Sequence, residues 1–244
     1  MVIRDDFFIN NVSARSIGIS TVDPLSPPPM ASRRYTDYSV GNDTVMVVDD
    51  DEFDNILYTM TVRVIGKPES IDNSVLYRFL QGAKKLRLSR LPLYEFRIQK
   101  IGGIEPQVRN KNNETVYTIT LELEPWKYIA FEPTITVSSS DTLIGGSGTR
   151  YSKPLYKLIL GRQIAGSTFT VNGQQFIIDI PLDVTITDGI LYLDAENDIV
   201  YDKAGNNCMM YTTGDIQYMN TDQNSISWTG DITSVSIKRN GRCY

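Results

Sequence analysis

Apolar and polar residues alternate with a period of two from one end of this chain to the other. Tyr58, Met60, Val62 and Val64 alternate with Leu57, Thr59, Thr61, Arg63 and Ile65. Tyr117, Ile119, Leu121 and Leu123 alternate with Thr118, Thr120 and Glu122, and Tyr94, Phe96 and Ile98 with Glu95, Arg97 and Gln99. Successive side chains of a strand point to opposite faces, so each pattern predicts a strand with one buried face. Asn172-Gly173 between Phe169-Thr170-Val171 and Gln174 onward supplies the two positive-φ positions of a tight hairpin turn. Gly102-Gly103, Gly145-Gly146, Asp188-Gly189 and Asn240-Gly241 are further turn signals. Many short strands punctuated in this way predict a mainly β protein of sandwich or barrel type.

One stretch departs from this period. From Ser70 to about Leu86, apolar residues fall at Val75, Leu76, Phe79, Leu80 and Ala83, the stripe of a helix packed on a sheet. Ser70 or Asp72 could cap its start, and Lys84 and Lys85 suit its last turn. Gly82 weakens it. Near Pro125 and Pro133 the pattern breaks, and residues 138–149, rich in Ser, Gly and Thr, predict a long loop. The expected division is residues 1–128 and 129–244. At 244 residues the chain suits two ordinary domains.

Several function classes are disfavoured by composition. The net charge is −5, and phosphate neutralisation needs a surplus of Lys and Arg. The basic clusters Lys84, Lys85, Arg87, Arg90 and Lys238, Arg239, Arg242 predict solvated faces. No apolar run approaches the roughly 20 residues that span a bilayer, and Met1 to Asp6 lacks a leader's apolar core. The expectation is a soluble protein made in the cytoplasm. Cys208 and Cys243 are too few for a disulfide framework or structural zinc and predict free thiols.

The chain has no histidine, which removes Ser-His-Asp and Cys-His nucleophilic systems and the commonest metal ligand. Asp49-Asp50-Asp51-Glu52 and Asp54 lack the spacing of a calcium-binding loop and predict an exposed acidic hairpin. Asp194, Glu196 and Asp198, followed by Asp202, would share one face of a strand. Two carboxylates about 5–10 Å apart could hydrolyse glycosides, although an exposed acidic face more often serves solvation. Gly145 to Arg150 lacks the lysine of a phosphate-binding loop and predicts flexible chain. Trp126 and Trp228 could stack on sugar rings if exposed, and otherwise serve packing. No catalytic, cofactor or metal residue is assigned.

The order of features resembles that of bacteriophage distal tail proteins, the Dit family of siphophage tail-tip and baseplate hubs. Residues Phe7 to Ile19 look like the family's opening, in which a Phe and a hydrophobic strand lead to an N-G-x-S-S/A-x-x-L-G-I/V stretch. Pro24 to Pro29, Arg33-Arg34-Tyr35 and the turn Gly41-Asn42-Asp43-Thr44 follow in order, although that turn lacks the family's Arg and second Gly. Asp54-Asn55-Ile56, Lys85 to Pro92 and Tyr94 to Ile98 continue the match. Ile190 to Tyr201 is similar to I-x-I-D-S-E-x-x-x-V-Y, and Gly214 to Gly230 to the family's penultimate strand pair, without its Pro-Gly.

The resemblance implies a two-domain β architecture. Its N-terminal half would be a sandwich- or barrel-like belt domain with one helix, and its C-terminal half a galectin-like β-sandwich. It implies a structural, non-enzymatic protein of the virion tail tip, assembled in the host cytoplasm. The implied assembly is a homo-hexameric ring that joins the major tail-tube protein to the tail-associated lysin or tail-tip protein, with receptor-binding proteins as further partners. DNA would pass through its channel without specific binding, with no cofactor and no membrane insertion. For the ring interface, the candidates are Leu86, Leu88, Leu91 and Pro92, with Asp51 and Asp54 of the acidic run. The alternatives are a carbohydrate-binding β-sandwich, a cell-wall glycan hydrolase and a tail-tube subunit.

Overall fold

The structure, a computed structural model, describes residues 5–39, 45–65, 74–109, 114–161 and 166–244. For residues 36–39, 45–51, 65, 108–109 and 114 it describes the backbone alone. The chain divides into two compact units, residues 1–130 with Tyr244, and residues 131–243.

The first unit contains strands β1 (Phe7–Ile9), β2 (Val12–Ser13), β3 (Ile19–Thr21), β4 (Arg33–Ser39), β5 (Val45–Phe53) and β6 (Ile56–Ile65). Helix α1 (Ser74–Leu80) and strands β7 (Lys85–Leu88), β8 (Tyr94–Arg109) and β9 (Glu114–Ile129) complete it. An antiparallel sheet runs in the order β2-β1-β7-β8-β9-β6-β3, while β4 and β5 pair as a separate ribbon. The alternation read from the sequence sets the faces. Tyr58, Met60, Val62, Tyr117, Ile119, Leu121, Leu123 and Phe96 all enter one buried core, which Leu76 and Leu80 of α1 join. The Phe79 ring meets Phe7 edge-on at 5.8 Å.

Three local expectations change. The helix ends at Leu80, because Gly82 turns the chain at φ 69° and the Ala83 N–H donates to the Leu80 carbonyl. Lys84 and Lys85 therefore lie beyond the helix, Lys85 already in β7, while the caps expected at Ser70 or Asp72 lie outside the described residues. Gly102-Gly103 makes no reversal. It sits at a register shift inside the sixteen-residue β8, and a Cβ on Gly102 would press on Thr120 at 3.2 Å. Strand β9 likewise continues through Pro125, where the pairing with β8 shifts.

The second unit is a sandwich of two antiparallel sheets over a single core. Its strands are β10 (Ile135–Val137), β11 (Thr142–Gly145), β12 (Leu155–Leu160), β13 (Ser167–Val171), β14 (Gln174–Ile178) and β15 (Ile190–Asp194). They are followed by β16 (Ile199–Asp202), β17 (Thr212–Thr213), β18 (Gln223–Thr229), β19 (Ile232–Lys238) and β20 (Arg242–Cys243). One sheet runs β10-β19-β12-β15-β16 and the other β11-β18-β13-β14-β17. Asn172 (φ 53°) and Gly173 (φ 81°) form the expected turn, with Val171 paired to Gln174. Residues 138–149 are more ordered than a long loop, since β11 forms within them and pairs with β18.

Candidate functional site

The candidate interface residues separate by depth. Lys85-Leu86-Arg87-Leu88 alternates, and β7 lies against α1 and the sheet core, so Leu86 and Leu88 are wholly buried. Neither offers side-chain surface to a partner in the isolated chain. The outward face of β7 carries Lys85, paired with Glu95 at 2.5 Å, and Arg87, whose guanidinium lies 4.4 Å from the centre of the Phe8 ring. Beyond β7 the chain makes two turns, closed by Leu91 N–H to Leu88 O and Tyr94 N–H to Leu91 O. Leu91 is half-buried, and Pro92 is exposed together with Leu93, which the motif reading passed over.

Two N-terminal carboxylates hold this rim. Asp5 accepts from Arg90 Nε at 2.6 Å and from the Leu25 N–H at 2.9 Å. The Arg90 hydrogen bond, against the cost of burial, holds its carboxyl below the usual range. Asp6 accepts from Ser13 Oγ at 2.6 Å and from its neighbour's N–H, while its own N–H donates to Ser89 Oγ. Lys85, Arg87 and Arg90 are thus engaged in pairs, while Lys84 is exposed.

The acidic run lies along one strand of the antiparallel β4–β5 pair. It occupies the end of β5 and the link to β6, and backbone register sets Asp49 opposite Tyr35. Arg34 of β4 bridges Glu52 at 2.8 Å and Asp54 at 3.2 Å, all three side chains being largely exposed. The Asp51 side chain lies outside the described residues.

The second acidic group is also rearranged. Strand β15 ends at Asp194, and Ala195 to Asp198 turn the chain into β16, Asp198 with φ 52°. The three acids therefore do not share a strand face. Asp194 fastens the turn, accepting from the N–H groups of Glu196 and Asn197 and from Asn197 Nδ2. Asp202 is buried and ringed by donors from Thr187, Ala204 and Asn206. Among the described residues no cluster of three potential metal ligands forms. Arg239 and Arg242 of the C-terminal basic group are structural as well, while Lys238 is exposed. Arg239 Nε lies 2.9 Å from Glu132, and Arg242 donates twice to the Tyr151 carbonyl, at 3.1 and 2.9 Å. Trp126 is buried against Phe53 and Trp228 packs partly into the sandwich core, so neither is the open sugar platform considered from the sequence.

A cleft of 760 Å³ opens at one end of the sandwich, where hairpin tips of both sheets converge. The β13–β14 tip contributes Asn172 and Gln174, and the β15–β16 turn contributes Glu196 to Asp198. The loop before β18, from Asp215 to Asn220, and Tyr151 with Lys153 complete the wall. Buried Asn224 ties these parts together. Its Oδ1 accepts from Asn172 Nδ2 at 2.9 Å and from the Asn220 N–H at 2.7 Å, and its Nδ2 donates to Asn220 O. Ser152 and Met219 exchange backbone hydrogen bonds, and buried Tyr156 donates to Gln217 O. Burial drives the Tyr156 phenol far above its ordinary pKa, keeping it a neutral donor. The Tyr151 and Tyr218 rings stack at 5.3 Å, 15° apart.

No protein-family model and no curated protein sequence matches the chain. Solved structures do match. The Dit protein (gp 19.1) of phage SPP1, described as a paradigm of the hub adsorption apparatus in phages infecting Gram-positive bacteria, aligns with a TM-score of 0.60. The alignment covers 96% of this chain and 97% of that one at 11% identity. This chain has the Dit fold. A chain of the phage P2 baseplate, in its activated conformation with Ca, aligns over 97% of both chains with a TM-score of 0.52 and 8% identity. The Dit fold thus spans both units. At so low an identity the likeness is one of backbone course, and the side chains of the cleft and of the β4–β5 ribbon must be judged on their own chemistry.

Proposed function

We propose that this chain is a phage distal tail protein, a structural subunit whose homo-hexameric ring joins the tail tube to the tail-tip or baseplate and host-adhesion proteins. The observation that carries the reading is the alignment with the SPP1 hub protein through both units. In this reading residues 1–128 form the ring belt, residues 129–244 are the outward galectin-like sandwich, and DNA passes through the channel without specific contacts.

The shape of the first unit suits a ring. Among the described strands, β4 and β5 pair only with each other. A two-stranded ribbon is marginal alone in water, and its outer edges carry unpaired backbone groups. A neighbouring subunit that adds to such an edge satisfies both, and heterologous contacts of this kind close into rings when the rotation permits. The exposed tip at Pro92 and Leu93 and the Arg34–Glu52–Asp54 ribbon surface are the interface candidates that remain.

Light scattering of the purified chain, with negative-stain images of the same peak, tests the proposal. The expected particle has six times the 27.5 kDa chain mass, or twice that for stacked rings, and an open centre. Tubes that grow without limit would instead make it a tail-tube subunit. A chain that neither closes into rings alone nor does so with its tail-tube neighbour would overturn the proposal.

A further inference from the structure

The geometry points to the cleft at the end of the sandwich as a binding site for a neutral saccharide. The inference is independent of ring formation, because every residue it uses lies in the second unit.

The first argument is the division of labour among the side chains. Those that build the cleft are committed: Asn224 and Asn172 to each other and to neighbouring backbone, Asp194 to its turn, and Arg242 to the Tyr151 carbonyl. Gln174, Asp198, Asp215 and the Asn220 side chain line the same space and make no side-chain hydrogen bond to any described residue. A pinned frame thus presents uncommitted amide and carboxylate groups, which is how a site keeps its geometry while leaving its polar atoms for a ligand. Carboxylates accept hydroxyl hydrogens, and amides both donate and accept, so the set matches the paired hydroxyl groups of a sugar ring.

The second argument is the aromatic wall. Tyr218 stacks on Tyr151, which the guanidinium of Arg242 approaches at 4.6 Å from the ring centre. This stack holds Tyr218 in place while leaving the residue 45% exposed. Rigid aromatic surface beside polar groups serves a ligand with both C–H and O–H faces. Val171, Ala195 and Ile216 give the cleft a small apolar floor.

The third argument is charge. Among the described lining residues Glu196, Asp198 and Asp215 are acidic and Lys153 is basic, its Nζ 5.5 Å from the Tyr218 ring centre, while Arg150 and Arg242 lie against the Tyr151 ring. The carboxylates on the lining itself disfavour phosphorylated, sulfated and uronic-acid glycans beside them, and so favour neutral sugars.

Affinity electrophoresis of the full chain through gels containing dextran, mannan, galactan, rhamnan or dextran sulfate provides the test, with chitohexaose titrated separately by calorimetry. Expected is binding to at least one neutral probe and none to dextran sulfate. Tyr218→Ala and Asp215→Asn, whose side chains make no hydrogen bond to any described residue, should each weaken that binding about tenfold or more, Asp215→Asn at an unchanged melting midpoint. Lack of binding to every neutral probe would overturn the assignment. So would binding that both variants retain in full, or retention by dextran sulfate alone.

Discussion

Asp202 shows how a single carboxylate can be both buried and ionised. It is 1% exposed, yet both oxygens are met. Oδ1 accepts from the N–H groups of Ala204 at 2.9 Å and Asn206 at 2.8 Å, and Oδ2 from Thr187 Oγ1 at 2.7 Å and Asn206 Nδ2 at 2.9 Å. The Thr187 hydroxyl contributes most to holding its pKa far below the usual carboxylate range. Burial opposes this, and the Asn206 side chain and the Asn206 and Thr187 N–H groups reinforce it. A depressed folded-state pKa means that the unfolded chain takes up the proton first as pH falls. The stabilisation is therefore complete well above the unfolded value of about 3.9 and is lost progressively below it. Asp202→Asn removes the charge and faces an NH₂ group toward donors. Thermal melts should place the variant's midpoint well below wild type at neutral pH, with the gap narrowing as pH drops through about 4. A gap that stays constant down to the acid limit would show that Asp202 contributes packing and not charge.

At the scale of elements, the alternation carried most of the information. It identified which faces of β6, β8 and β9 are buried and placed the Asn172-Gly173 turn, because period and turn chemistry are local properties. What local pattern could not resolve was the use of a breaker residue. Gly102 and Pro125 interrupt strands only as register shifts, since a long partner strand holds the chain straight past them. Glu196 and Asp198 have the spacing of one strand face but fall in a turn, which the capping by Asp194 decides. The cleft was invisible for a related reason. Tyr151, Asn172, Asp198 and Tyr218 come from separate segments, and no spacing in one segment announces a partner in another. The glycines make the contrast testable. Gly173→Ala meets no atom within 4 Å and strains only its left-handed backbone, so chemical denaturation should show a loss of about 1–2 kcal/mol. Gly148, also left-handed, would bring a Cβ to 2.1 Å from the Arg242 carbonyl oxygen, a backbone atom that cannot swing aside. Gly148→Ala should therefore lose far more than Gly173→Ala in the same titration. Equal losses would mean that the Arg242 segment moves freely.

At the scale of the whole molecule, a fold shared with SPP1 Dit at 11% identity needs a physical account. Cores require the right periodicity and total volume far more than particular residues, so sequences can drift while the backbone course persists. Surfaces are under no such rule, and fold alone does not carry function. Ring closure and saccharide binding are therefore separate questions, settled by different residues. The two cores are separate as well. One is built wholly from residues between Phe7 and Leu123, and the other wholly from residues between Val137 and Ile237. The second core draws on both sheets of its sandwich and includes large, fully buried side chains such as Tyr156, Phe169 and Phe176. A unit with a closed core of its own meets the condition for folding alone. Residues 131–243 expressed as a fragment should therefore give a strand-type circular dichroism spectrum and a single cooperative melt. The fragment should also keep the cleft, since Asn224, Ser152 and Tyr156, which pin its walls, all lie within it. A fragment that is unfolded at neutral pH would mean that the sandwich draws stability from the first unit, and that both halves of this Dit fold must be tested together.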